Sequence, residues 1–173
     1  LGAQGAGSVV EAGLSQDQVP VLMATLGKAL GCAGAFVAGG AALVEGLVQF
    51  ARSYVYATAS PPALAAAARA ALKLARCEDW RREKLAALVA RFRGGAGQLG
   101  LPLTESRTPI QPVVLGDIAR TLAASAALEA RGLLVTAIRP PSVPAGKSRL
   151  RVTLSAAHEE ADVDRLLEAL SHV

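Results

Sequence analysis

Aromatic residues are scarce, at 3% of the 173 residues. A nucleic-acid module that stacks bases on rings is therefore not expected, and Ala, Leu and Val must fill the core. Cysteine is scarce too. Cys32 and Cys77 lie 45 residues apart, which suggests no disulfide framework and points to a reducing, cytoplasmic setting. Cys32, Cys77, His158 and His172 include no pair at ligand spacing, so no metal site is expected. No charge sign dominates: 18 Lys and Arg against 14 Asp and Glu leave +4. That excess suits an anionic ligand without indicating DNA or a membrane. The longest early charge-free run, Ala29 to Val44, has 16 residues and is Gly-rich. It falls short of the ~20 residues that span a bilayer. The similar run Ser53 to Ala68 contains Pro61-Pro62, and no targeting segment is visible. Neither a membrane nor a nucleic-acid partner is expected.

Hydrophobic residues, by contrast, make up 52% of the chain. That excludes a disordered chain. The length suits one domain, or a small domain plus part of another. The chain opens on Leu1-Gly2-Ala3, without Met, and reads as if it starts inside a longer protein.

Two short apolar runs, residues 19–24 and 35–38, suit strands buried on both faces under helices. Such strands need neighbours, and nothing later resembles them. Residues 1–48 are therefore expected to be the remnant of a larger domain. Gly40 to Arg52 suits a short helix, and Ser53 to Ser60 has no helical pattern. Pro61-Pro62 suits a helix start, because the first turn leaves its N–H groups unpaired anyway. The Ala-rich stretch 63–76 then continues it. Leu85, Leu88, Val89 and Phe92 mark a second helix, which Gly94-Gly95 is expected to stop. Its basic residues read as a solvated face. Residues 49–97 are thus connecting helices.

Residues 98–173 read as a small α/β domain. Ile110 to Leu115 is a strand that Pro112 pushes to a sheet edge. Asp117 is an N-cap for a helix with Ile118, Leu122 and Ala126 on one face, and Gly132 ends it. Leu133 to Ile138 is a strand. Arg149 to Leu154 alternates polar and apolar, as an antiparallel strand with one wet face does. Val163, Leu166, Leu167 and Leu170 line the final helix, and Glu159 and Glu160 favour its positive N-terminal end.

Few residues offer chemistry. Gly27-Lys28 is followed by Ala29, and Leu22 stands where a phosphate-binding loop needs Gly, so that motif fails. No G-x-S-x-G turn is present. Lys28 follows a strand candidate among the small residues Gly27, Ala29, Gly31 and Ala33. Such neighbours leave room for a flat ligand, and a desolvated amine is a better nucleophile. A plain surface lysine is the alternative. Arg139 opens the proline-stiffened segment Arg139-Pro140-Pro141-Ser142-Val143-Pro144. An Arg fork displayed there suits a carboxylate. A solvated surface turn is the alternative.

Several blocks together carry a family likeness. They are Thr25-Leu-Gly-Lys-Ala-Leu-Gly31 with Ala33 to Gly39, Gln49 to Arg52, Tyr56 to Pro62, and Arg82 to Leu88. Pro109 to Pro112 with Gly116-Asp117, Ala137 to Gly146, and Arg149 to His158 follow in order. Over essentially its whole length the chain resembles the C-terminal part of the α-oxoamine synthases, pyridoxal-phosphate enzymes of aminotransferase fold type I. The block Ile138-Arg-Pro-Pro141 resembles the member that joins L-alanine to a pimeloyl thioester.

The resemblance implies an α/β fold, with the end of the large-domain sheet followed by a small domain of short antiparallel sheet and flanking helices. It implies that Lys28 holds pyridoxal 5′-phosphate covalently and moves the Cα proton, and that Thr25 binds the cofactor phosphate. Thr58 would reach the phosphate in the neighbouring subunit of a homodimer. Arg139 would hold the amino-acid carboxylate, with Ser142 beside the substrate. Position 142 is more often Thr in the family, which keeps the hydroxyl, and Ile118 stands where Asn is frequent. The segments that stack on and pair with the cofactor ring have no counterpart in these residues, so this chain alone is expected to be inactive. Two other readings stand beside this one. They are an α-oxoamine synthase using glycine or serine with another acyl thioester, and a non-enzymatic interaction domain that keeps the fold.

Overall fold

A computed structural model describes residues Gly2 to Val173. The chain divides into two compact units, one ending at Asp79 and one running from Trp80 to Val173.

In the first unit a short helix, α1 (Ser8–Glu11), precedes strands β1 (Val21–Thr25) and β2 (Ala35–Gly39). Helices α2 (Ala41–Phe50), α3 (Arg52–Val55) and α4 (Pro62–Cys77) follow. Pro62 is the first residue of α4 and needs no donor there. β1 and β2 form an antiparallel hairpin, from Val21 opposite Gly39 to Thr25 opposite Ala35. Met23 is 60% exposed and Phe36 41%, as expected where runs suited to burial on both faces lack sheet neighbours among the described residues. The two strands pair along their facing edges only, and two strands lack the layers that would cover both faces. Among the described residues of this unit, Cys32 and Ala68 are the buried ones.

The second unit holds the core. α5 (Asp79–Gln98) leads to β3 (Ile110–Gly116), α6 (Ile118–Glu129), β4 (Thr136–Ile138), β5 (Ser148–Thr153) and α7 (Glu160–Leu170). The sheet order is β3-β5-β4, antiparallel throughout. β3 lies at an edge as Pro112 requires, touched on its outer side by a single bridge, Leu103 to Val113. Inward residues Gln111, Val113, Ser148, Leu150 and Val152 are buried against Leu88, Phe92, Leu128, Val163 and Leu170 of the helices. Each fully buried Val, Leu or Phe among them contributes roughly 1.5–3 kcal/mol.

Local signals hold at several helix ends. Asp117 Oδ1 accepts from Arg120 N at 2.7 Å, and Gly132 takes φ +75° after α6. Glu159 and Asp162 form a reciprocal cap on α7. One stop signal fails. α5 runs through Gly94-Gly95 to Gln98, because Leu167 of α7 packs over Gly95 and the core holds the helix together. α5 therefore supplies Leu88, Val89, Phe92 and Ala96 to the core of this unit, which runs from Trp80 to Val173. β4 is shorter than the expected strand and begins at Thr136. No helix among the described residues is long and apolar enough to cross a membrane.

Candidate active site

Lys28 sits at the tip of the β1–β2 hairpin. Leu26 and Gly34 extend the ladder past the strands, with Leu26 N donating to Gly34 O at 2.9 Å. Cys32 N donates to Leu26 O at 2.9 Å and closes the loop on itself. Inside it, Gly31 N donates to Lys28 O at 3.0 Å, making a tight turn that starts at the lysine. Gly31 has φ +63° there, a region that glycine enters without a Cβ clash. Gly27 lies close under the loop: a Cβ there would meet Cys32 O at 3.3 Å. The Lys28 amine is exposed and has no hydrogen-bond or ion-pair partner among the described residues. Thr25, the last residue of β1, is exposed as well. The hairpin thus brings Thr25 and Lys28 onto one hydrogen-bonded tip. Leu26 and Cys32 shape this loop through their backbones, a role that no side-chain motif announces.

Thr58 lies in the segment between α3 and α4, exposed. The preceding residues form a turn, with Ala57 N donating to Tyr54 O at 3.2 Å and the Arg52 guanidinium 5.5 Å from the Tyr56 ring centroid.

Arg139 and Ser142 belong to one turn of the second unit. Ser142 N donates to Arg139 O at 3.0 Å across the cis Pro140-Pro141 bond. The turn follows β4, and Lys147 N donates to Pro144 O at 3.1 Å before β5 begins. Arg139 and Ser142 are both exposed. Two donors of different length therefore stand on one short turn, an arrangement suited to a small polar anion. Among the described residues no group of three His, Cys, Asp or Glu side chains could hold a metal ion.

A family model described as aminotransferase class I and II matches residues 2–170. The chain belongs to the aminotransferase class I and II family. Within that family it is 64% identical over 171 residues to the 8-amino-7-oxononanoate synthase of Pseudomonas putida KT2440. The match covers 99% of this chain and 44% of that relative, so the chain spans less than half the length of the curated relatives it matches. Solved relatives agree in fold. The 8-amino-7-oxononanoate synthase of Francisella tularensis superposes with a TM-score of 0.89 at 28% identity, over 99% of this chain and 50% of that one. A serine palmitoyltransferase of S. paucimobilis with bound PLP and myriocin gives 0.90 at 28%, over 99% and 44%. The α/β architecture expected from the sequence is that of this family.

Proposed function

We propose that this chain carries the cofactor lysine and the carboxylate-binding turn of an 8-amino-7-oxononanoate synthase of biotin synthesis. The observation that carries the reading is Lys28, an amine without a partner on a glycine-shaped hairpin tip, in a chain 64% identical to a relative of that name. The reaction joins L-alanine to a pimeloyl thioester. A bond forms between alanine Cα and the acyl carbon, the C–S bond breaks, the carboxylate leaves as carbon dioxide, and the thiol carrier takes up a proton. The curated relative at 64% identity is named 8-amino-7-oxononanoate synthase, and that name favours alanine over serine; among solved structures the synthase and serine palmitoyltransferase are equally similar, at 28%.

The residues fit pyridoxal phosphate by their chemistry. An aldehyde needs a free amine, which is Lys28, and a phosphate needs hydroxyl donors, which Thr25 supplies. The missing side chain of Gly27 lets the loop fold tightly beneath them. When bound, the cofactor supplies the electron sink for charge developing at Cα. Lys28 accepts and returns the Cα proton. Thr25 donates to the phosphate, and Thr58 does so across a homodimer. Arg139 receives the alanine carboxylate in two parallel hydrogen bonds, and the Ser142 hydroxyl orients the substrate beside it. Cys32 and Cys77 are both free thiols, in keeping with a reducing, cytoplasmic setting.

The test is a chimera in which this chain replaces the aligned residues of the Pseudomonas putida relative. Turnover of alanine and pimeloyl thioester, lost in Lys28→Ala, is expected. Borohydride reduction with pyridoxal phosphate should label Lys28 on peptide mapping. A label on another lysine, or preference for glycine or serine over alanine, would overturn the assignment.

A further inference from the structure

We infer that Cys32 positions Lys28, fixing the direction in which the lysine side chain leaves the hairpin tip; this rests on the function proposed above. Cys32 is bonded to the chain on both sides of the lysine. Its N–H donates to Leu26 O at 2.9 Å, two residues before Lys28. Its thiol donates to Leu30 O at 3.2 Å, two residues after. Its carbonyl oxygen would stand 3.3 Å from a Cβ on Gly27, so the backbone next to Lys28 lies close against Cys32. The turn that starts at the lysine is therefore held on both sides by one residue.

Burial singles out the same residue. Thr25, Lys28, Ala29 and Gly31 are exposed, Leu26 and Leu30 are half-buried, and Cys32 is buried. From Leu26 to Gly34 the side chains able to hydrogen-bond are those of Lys28 and Cys32. The Lys28 amine must stay free for its own chemistry, so the thiol is the side chain left to anchor the loop. A sheltered thiol on a carbonyl behaves as a small apolar body with a weak donor, which packs and does not react.

The reach of the lysine makes this placement count. Its amine ends a flexible four-carbon stem, so the backbone sets where the nitrogen can go. A reacting group displaced by about 1 Å can lose about a hundredfold in rate. A residue that pins the chain before and after Lys28 narrows the directions open to the stem. Cys32 thus acts through the lysine, as a positioning residue for the amine that meets the cofactor.

The test compares Cys32→Ala, which removes the donor, with Cys32→Ser, which keeps one. In the chimera, pyridoxal phosphate is added and the borohydride label on Lys28 is timed by peptide mapping. The label should form about tenfold more slowly in Cys32→Ala and at the parent's rate in Cys32→Ser. kcat should fall with the labelling rate while KM for alanine stays unchanged, because Arg139 holds alanine from a separate turn. In the 173-residue chain without cofactor, amide hydrogen exchange at Gly31 and Cys32 should quicken in Cys32→Ala and not in Cys32→Ser. Equal labelling in Cys32→Ala and the parent, failure of Cys32→Ser to restore it, or unchanged loop exchange would overturn the inference. Loss of the fold by circular dichroism in Cys32→Ala would overturn it too, because the thiol would then hold the whole unit and not the lysine. A label on another lysine counts against the proposed reaction, and the exchange measurement still decides whether Cys32 fixes the loop.

Discussion

Leu167 of α7 occupies the space that a side chain on Gly95 of α5 would need: a Cβ built on Gly95 collides with Leu167 Cδ1 and Cδ2. Gly94 and Gly97, on the same helix, face open space. The three substitutions to Ala should therefore differ in sign. Gly94→Ala and Gly97→Ala each should stabilise by roughly 0.5–1 kcal/mol, the helix-propensity gain of Ala over Gly. Gly95→Ala should destabilise, because Leu167 must leave its packed position. Thermal unfolding of the three variants reads the contrast, and equal shifts would refute the packing account.

Gln111 is fully buried on β3 and serves as a polar hub. Its Nε2 donates to Thr108 O at 2.7 Å and Ser106 O at 3.1 Å, and its Oε1 accepts from Arg93 Nη1 at 2.8 Å. Gln111→Leu keeps the size and strands these partners. The expected cost is about 1–3 kcal/mol or more, the penalty for buried polar groups left unpaired. Urea unfolding measures it, and a neutral result would show that water replaces the side chain.

Arg91 clasps α7 through Nε to Asp164 Oδ1 at 2.7 Å and Nη1 to Glu160 at 2.9 Å. The hydrogen bond from Arg91 holds the Asp164 carboxyl below its ordinary pKa. The folded state thus prefers the ionised form, and the clasp contributes above the usual carboxylate pKa of about 3.9. That contribution is lost as pH falls through the lower folded value. Asp164→Asn should lower Tm slightly at neutral pH, and the gap should close in acid and shrink in high salt. A gap that persists in acid would mean packing, not charge, is lost.

Arg139→Lys keeps the charge but loses the planar fork. In the chimera it should weaken alanine binding by about 1.5–3 kcal/mol, the scale of a hydrogen bond to a charged group. Unchanged alanine affinity would remove Arg139 from the substrate site.

Both Thr25 and Lys28 stand exposed on the hairpin tip, whereas small-molecule sites enclose most of their ligand. Pyridoxal phosphate titrated into the 173-residue chain should accordingly bind weakly and support no turnover. Tight stoichiometric binding by absorbance, with turnover, would show that this chain completes the site by itself.

Much of the second unit was legible from neighbouring residues alone. The Asp117 cap, the Gly132 turn after α6 and the in–out alternation of β5 depend on contacts within a few residues, so spacing determines them. The lysine segment and the Arg139 turn stood out through resemblance to a family's blocks, because composition alone leaves Lys28 and Arg139 equally readable as plain surface residues. Tertiary structure decided what depends on distant partners. The runs at β1 and β2 read as buried because they are apolar, but which strand pairs with which is set by chain geometry, and here they pair with each other. Two consecutive glycines ordinarily end a helix, yet Leu167, distant in sequence, rewards α5 for continuing past Gly95. Gln111 reads as a polar residue in an edge strand. Only the fold shows it buried, because Arg93 and the backbone carbonyls that satisfy it are assembled by packing α5 against the sheet.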